Sequence, residues 1–142
     1  MDDDIKLLNF VYQNSKMGVD TISQLIDIVE GNKFKLYLKK KQHGYKRFNL
    51  KARRLLNKHG FSEKDLTTYE KVRTYLMISA QTLTDHSTSH IAKMMIVGTT
   101  MGIINAIRNI NKYHRAKKEI IKLMKDLKRF EEKSFNDLKI FL

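Results

Sequence analysis

The sequence predicts an all-α fold, an antiparallel bundle of four to five long helices that forms one domain over residues 1–142. Apolar residues recur at alternating spacings of three and four along most of the chain, which is the period of an amphipathic helix. No segment shows the apolar–polar alternation of a half-buried strand. The chain also contains no proline, so no residue forces a kink in a helix.

The first predicted helix begins at the acidic N-terminus. Asp2, Asp3 and Asp4 can cap a helix start and complement the positive end of its dipole. Two apolar stripes follow and give this helix a wide face, so we expect it to contact two neighbours. The first stripe is Ile5, Leu8, Tyr12, Ser15, Val19, Ile22, Ile26 and Val29, and the second is Leu7, Val11, Gly18, Leu25 and Ile28. Gly31 and Asn32 then end the helix.

The second helix is predicted from about Lys33 to Lys58, with Gly60 as its C-terminal cap. Because the link to the first helix is short, the two should form an antiparallel hairpin. Lys41 falls on the apolar stripe of this helix, and we expect its side chain to extend outward along its methylene stem, with a buried ionic contact as the alternative. His43 and Gly44 are the points where this helix could be interrupted. The stripe itself is Phe34, Leu38, Tyr45, Phe48, Ala52 and Leu55.

Three further segments complete the predicted bundle. Ser62 and Asp65 resemble a capping box and open a third helix that runs through Thr84. The segment Asp85 to Ser89 is rich in residues that bond their own backbone, so we place a break there with Ser87 as the next N-cap. After a lapse in the apolar pattern at Asn111 to His114, a final helix is predicted, with its apolar positions from Ile120 to Phe141.

The most apolar run of the chain is Ile91 to Ile110, IAKMMIVGTTMGIINAIRNI. It is apolar nearly all round, which predicts the buried helix on which the others pack. Gly98 and Gly102 lie four apart and would let a neighbouring helix approach closely. A membrane span is the rival interpretation, but a lysine, an asparagine and an arginine shorten the apolar core well below the ~20 residues required. We therefore expect no integral membrane association.

The composition limits the cellular compartments in which we expect the protein and the kinds of site that it can contain. The chain has no cysteine, which excludes a disulfide framework, a thiolate metal site and a cysteine nucleophile, and is compatible with a reducing cytosol. Its start, MDDDIK, lacks the basic residues and the apolar run of a secretory signal. The expected location is cytoplasmic.

The basic charge is concentrated on the second predicted helix. The chain has 28 basic and 15 acidic residues, a net charge of +13. Eleven of the basic residues, and no acidic one, lie between Gly31 and Ser62: Lys33, Lys35, Lys39, Lys40, Lys41, Lys46, Arg47, Lys51, Arg53, Arg54 and Lys58. Two rows recur every seven residues, one from Lys33 to Arg54 and one from Lys39 to Arg53. Like charges four residues apart on a helix repel, so this concentration of basic residues favours a binding role over a structural one.

A face of this kind attracts polyanions, because lysine and arginine release counterions when they neutralise phosphates. We therefore predict a non-catalytic protein that binds nucleic acid through this helix and the start of the last one. The predicted contacts are Lys33, Lys39, Lys40, Lys46, Arg47, Lys51, Arg53, Arg54, Lys117 and Lys118. Zinc-finger spacing, an RRM aromatic motif and a helix-turn-helix are not found, so base-specific readout is not predicted. The alternative is an interaction module that docks on an acidic protein or, in a homo-oligomer, on its own acidic N-terminus.

Catalytic and metal signatures are weak. Asp85, His86 and His90 are the candidates for metal binding, since two histidines at positions i and i+4 can share a metal on one helix face. The predicted helix break between them undermines that spacing, and no glutamate supplies the general base of an H-E-x-x-H motif. We expect no enzymatic activity and no cofactor.

The hairpin of long helices, the segment TYLMISAQTLTDHSTSHIAKMMIVGTTMGII and the last amphipathic helix together resemble uncharacterised bacterial proteins of similar length with a ferritin-like helical bundle. The resemblance implies a ferritin-like fold, and metal binding as a second alternative function. Ferritin-like di-iron proteins carry Glu-x-x-His on two helices. Here Glu70 is followed three residues later by Arg73, and Glu119 by Lys122, so the resemblance does not extend to iron chemistry.

Overall fold

The structure, a computed structural model, describes residues 2–62 and 83–142. Within these ranges it has no strand, and the all-α bundle is confirmed. The predicted third helix, Ser62 to Thr84, lies outside the described residues except for its ends. Four α-helices and a terminal 3-10 turn are described: α1 (Asp3–Leu25), α2 (Asn32–Lys58), α3 (Thr88–Lys112), α4 (Lys118–Leu138) and the turn Lys139–Phe141.

The predicted caps are present at three helix ends. The Asp2 carboxylate accepts a hydrogen bond from the Ile5 N–H at 3.0 Å and begins α1. The Ser87 hydroxyl accepts one from the His90 N–H at 3.3 Å and begins α3. Gly60 has a φ of +79°, the left-handed conformation that ends a helix and that glycine adopts without strain. Local sequence therefore defines these ends.

The predicted extent of α1 is wrong, and that of α2 is confirmed. The helix α1 ends at Leu25, before Val29, whose side chain is 7% exposed and lies in the core. In contrast, α2 runs without a break through His43 and Gly44. A Cβ added at Gly44 would lie 2.5 Å from a ring carbon of Phe130, so this glycine permits the close approach of α4.

The helices run in the order up, down, down, up. The first two form the predicted antiparallel hairpin, and α3 and α4 form a second one. Thr88, at the start of α3, packs against Gly31, so α3 begins at the end of the bundle where α2 begins. The start of α4 lies beside the start of α1, because the Asp3 and Asp4 carboxylates accept hydrogen bonds from backbone N–H groups just before α4.

The central helix of the bundle is α1, and the prediction that Ile91 to Ile110 holds this position is wrong. Every residue from Leu7 to Ser15 is buried, and α1 contacts each of the other three helices. On α3, Val97, Ile104 and Ile107 remain 38%, 46% and 40% exposed. The polar residues of α1 explain the error, since hydropathy does not show that they are buried.

By length and composition α3 could cross a membrane, with a mean hydropathy of 1.3 over its most apolar window. Within the described part of the chain it is the one helix that meets these criteria. In the bundle, 44% of that window is buried against protein. A core helix of a soluble protein meets the same criteria, so the observation is weak evidence for a membrane span.

A polar layer divides the core into two apolar clusters. One cluster surrounds Leu8 and Leu127, and the other surrounds Ile22 and Leu138. Between them, Glu131 accepts a hydrogen bond from the Asn14 side chain at 3.2 Å, beside a cavity of about 30 Å³. That volume can hold about one water molecule. A Cβ at Gly102 would lie 3.1 Å from Asn14 Oδ1, which confirms the predicted close approach at this glycine.

Asp4 joins three helices at one end of the bundle. Its Oδ1 accepts a hydrogen bond from the Lys117 N–H at 2.8 Å, and its Oδ2 lies 3.3 Å from His59 Nε2. The other ring nitrogen of His59 lies 2.8 Å from the Leu55 carbonyl oxygen. A side chain that is 9% exposed therefore holds the end of α2 and the start of α4 against α1.

We expect Asp4→Ala to lower the free energy of unfolding by about 2 kcal/mol, because it removes the acceptor of the Lys117 N–H and the carboxylate beside His59. Urea denaturation followed by far-UV circular dichroism measures the change. Asp4→Asn keeps an oxygen acceptor for the Lys117 N–H, so it should lose less than half as much. An alanine variant as stable as the wild type would contradict the role assigned to Asp4.

Candidate nucleic-acid interface

The basic surface of α2, defined here as its lysines and arginines other than Lys41, covers the outward side of the helix. All ten predicted contact residues are exposed, including Lys117 and Lys118 next to the start of α4. None of the α2 lysines forms an ion pair with another residue in ranges 2–62 and 83–142. Their charge is therefore not neutralised by that part of the chain.

The two cationic rows lie on different sides of α2. Lys33, Lys40 and Arg47 line a pocket between α2 and α4. Lys46 and Arg53, from the second row, line a groove between α1 and α2. Because the rows flank the helix, positive charge extends from the pocket across the outer side of α2 to the groove. The tertiary contacts thus turn two rows on one helix into a wide curved surface.

The basic residues of α4 are largely paired, unlike those of α2. Three lysines bond to a carboxylate four residues later, at 2.7 to 3.0 Å. The pairs are Lys122 with Asp126, Lys128 with Glu132 and Lys133 with Asp137. Such pairs cancel most of the field that each lysine would project. Near the start of α4, Lys117 and Lys118 are exposed and have no ion pair among the described residues, and the same holds for Lys125 further along the helix.

The start of α4 lies beside the end of α2. The Lys117 N–H and His59 Nε2 both approach the Asp4 carboxylate, which places the two helix ends around one side chain. Phe130 of α4 packs against Tyr45 and Phe48 of α2, with ring centroids 5.0 and 5.4 Å apart. The last helix therefore packs beside α2.

Lys41 does not extend to solvent, and that prediction is wrong. The residue is 4% exposed, and its Nζ has no hydrogen-bond partner in the described part of the chain. The ammonium lies over the rings of Tyr45 and Phe130, 5.0 and 5.2 Å from their centroids. Burial lowers the pKa of Lys41, and the Glu131 carboxylate partly opposes this effect. The rings of Tyr45 and Phe130 and the nearby Glu131 carboxylate thus take the place of the water that would surround the ammonium at the protein surface.

Glu131 is the interior residue that sequence reasoning missed. It is 2% exposed and accepts a hydrogen bond from Asn14. Burial, together with this carboxylate, raises the pKa of Tyr45 well above its ordinary value. A signal was present, since Glu131 follows Leu127 by four residues and interrupts the apolar stripe of α4.

Asp85, His86 and His90 do not form a metal site in the structure. Among the described residues, no group of three or more His, Cys, Asp or Glu side chains is arranged to hold a metal ion. The Asp85 carboxylate accepts a hydrogen bond from the Ser87 N–H at 2.9 Å, and this bond lowers the pKa of Asp85. His86 Nε2 lies 3.3 Å from the Leu83 carbonyl oxygen. Asp85 and His86 lie in the break before α3, as the sequence predicted, and His90 lies in the first turn of α3.

No protein-family model, curated protein or solved structure matches the chain.

Proposed function

We propose that the protein is a non-catalytic binding protein for nucleic acid, which it holds by the phosphates through the basic surface of α2 together with Lys117 and Lys118. One observation carries the proposal: eleven cations and no carboxylate occupy α2, and ten of the eleven side chains reach the surface of the molecule. A helix gains no stability from this arrangement, so an external polyanion is the natural counter-charge.

The expected mode of binding is independent of base sequence. Each cationic row advances seven residues at a time, about 10 Å along the axis. Flexible lysines at that spacing can neutralise successive phosphates but read no base edge. Affinity should therefore depend on salt through counterion release and vary little between sequences.

Fluorescence anisotropy with labelled oligonucleotides tests the proposal. Duplex and single-stranded DNA of two unrelated sequences are titrated with the wild-type protein at salt concentrations from about 50 to about 200 mM. For duplex DNA we expect log K to fall with log salt at a slope of about −4 or steeper, as four or more phosphate contacts require. Failure to bind at the lowest salt would overturn the proposal and favour an acidic protein as the partner.

We also infer a ferritin-like order of helices, as the sequence resemblance implies. The up, down, down, up arrangement supports it, because α2 ends at the opposite end of the bundle from the start of α3 and the two must be joined by a long connection. A metal function is not part of this inference. The described residues offer no three-ligand group that would hold a metal ion.

A further inference from the structure

A pocket of about 370 Å³ lies between the first half of α2 and the last turns of α4. We refer to it as the α2–α4 pocket. Its volume falls within the range of small-molecule sites. Five cations and one carboxylate line it: Lys33, Lys40, Lys41, Arg47, Lys133 and Asp137. The Lys133 ammonium bonds to Asp137 at 2.7 Å, which leaves four cations that this carboxylate does not pair.

Two other grooves carry less excess charge. The α1–α2 groove has three cations and Asp20, and Lys16 pairs with that carboxylate at 2.9 Å. The α3–α4 groove has three cations and Glu132, which pairs with Lys128 at 3.0 Å. The residues that line the α2–α4 pocket thus carry a net charge of +4, against +2 for the residues that line either groove.

Aromatic side chains form the apolar part of the α2–α4 pocket. Tyr37, Phe130 and Phe141 line it, and the Tyr37 and Phe141 ring centroids are 5.4 Å apart. Burial, with a smaller contribution from Asp137, raises the pKa of Tyr37 to about 12, so its hydroxyl stays neutral at physiological pH. The pocket therefore combines uncharged ring surfaces with a cationic rim.

Lys41 provides the second, independent sign of a ligand. Its ammonium is shielded from solvent at the edge of the pocket and has no hydrogen-bond acceptor among residues 2–62 and 83–142. The charged groups that act on it are the Glu131 and Asp137 carboxylates and the Lys133 ammonium. A charge in such surroundings is weakly screened, so it raises the potential inside the pocket.

We propose that the α2–α4 pocket binds a phosphate monoester attached to a planar ring. A free nucleoside 5′-monophosphate and the 5′-phosphorylated end of a nucleic-acid strand share this chemistry. The phosphate lies between Lys33 and Lys40 and supplies the counter-charge for Lys41, while the ring packs on Tyr37 or Phe141. The proposal does not depend on the nucleic-acid function, because a free nucleotide can fill the pocket by itself.

Isothermal titration calorimetry with adenosine and uridine 5′-monophosphates tests the proposal on the full chain. We expect dissociation constants in the millimolar range or tighter, and much weaker binding of adenosine and of inorganic phosphate, each of which lacks one half of the ligand. Lys41→Met should weaken monophosphate binding about tenfold or more. Lys93→Gln, which removes one exposed charge on α3, should leave it unchanged.

A second variant covers the case in which Lys41→Met does not fold. Lys33→Gln/Lys40→Gln changes exposed side chains alone and should also weaken monophosphate binding about tenfold or more. The proposal is overturned if the wild type binds neither monophosphate, or if the folded variants bind as tightly as the wild type.

Oligonucleotides distinguish the two sources of the ligand. If strand ends occupy the pocket, a 5′-phosphorylated oligonucleotide should bind the wild type more tightly than its 5′-hydroxyl form, and Lys41→Met should remove the difference. If the ligand is a free nucleotide, the two forms should bind equally and the monophosphate should still bind. The 5′-hydroxyl form reports on the basic surface of α2 alone, so failure of that function is measured separately.

Discussion

Replacing Lys40, Arg47 and Arg54 by glutamate is expected to lower the affinity for duplex DNA by about 500-fold or more at about 0.1 M salt. Each phosphate contact contributes a factor of about eight at that concentration, since the binding constant varies as salt to the power of about −0.9 per contact. The loss of three contacts therefore lowers the binding constant by about eight cubed, or about 500-fold. The new negative charges add repulsion between protein and DNA. The slope of log K against log salt should become shallower by about 3.

The triple variant should remain folded, which makes loss of binding interpretable. All three positions are exposed. The new glutamates at 47 and 54 precede Lys51 and Lys58 by four residues, the orientation that stabilises a helix by about 0.3 kcal/mol per pair. We therefore expect thermal unfolding, followed by circular dichroism, to occur at or slightly above the wild-type temperature.

A charge-matched control separates the surface of α2 from net charge. Lys93→Glu/Lys112→Glu/Lys125→Glu changes the net charge of the protein by the same amount through exposed residues on α3 and α4. Its affinity should decrease far less than that of the α2 variant, because no phosphate contact is lost. Equal losses in the two variants would show that DNA responds to overall charge, and the basic surface of α2 would not be the binding site.

Glu131→Gln is expected to lower the free energy of unfolding by about 3 kcal/mol, because it removes the carboxylate that opposes the buried charge of Lys41. The two residues are 2% and 4% exposed. Glutamine retains an oxygen that can accept the Asn14 hydrogen bond, so the substitution changes charge more than shape. Urea denaturation measures the effect.

A double-mutant cycle attributes that effect to the charges. Lys41→Met/Glu131→Gln contains neither charge and should be within about 1 kcal/mol of the wild type, since the attraction between two buried opposite charges is largely offset by the cost of burying them. The coupling energy between the two positions should be about 1 to 3 kcal/mol. Glu132→Gln serves as the control, because Glu132 pairs with Lys128 near the surface, and its loss should change stability by about 0.5 kcal/mol or less. Additive single effects would show that the charges at 41 and 131 do not interact.

For Lys41 and Glu131, the sequence did not determine whether the charged side chain is buried or exposed. Both fall on apolar stripes, and both stripes predict the correct helix face. A lysine on such a stripe can reach solvent or remain inside, and the choice depends on what the facing helix offers. Here α4 offers the ring of Phe130 and the carboxylate of Glu131, and neither was assigned to Lys41 from sequence.

The aspartates at the N-terminus were likewise predicted in part: the local cap was predicted, and the contacts with a distant segment were not. The sequence predicted that they cap α1, and Asp2 does so. Asp3 and Asp4 instead accept hydrogen bonds from the Arg115 and Lys117 N–H groups, 112 and 113 residues away in the chain. An aspartate one or two positions after the N-cap can bond to a different helix, and the local sequence does not show which helix that is.

By itself the sequence determined the all-α fold, three helix ends and the location of the excess charge. Each depends on residues within a few positions of one another: a repeat of three and four, a cap beside the helix that it begins, and lysines along one helix. Tertiary structure decided that α1 is central, that Lys41 is buried, that Glu131 bonds to Asn14 and that one cationic row lines a pocket and the other a groove. These depend on residues from different helices, more than 100 positions apart for Asn14 and Glu131, whose contacts arise when the helices pack.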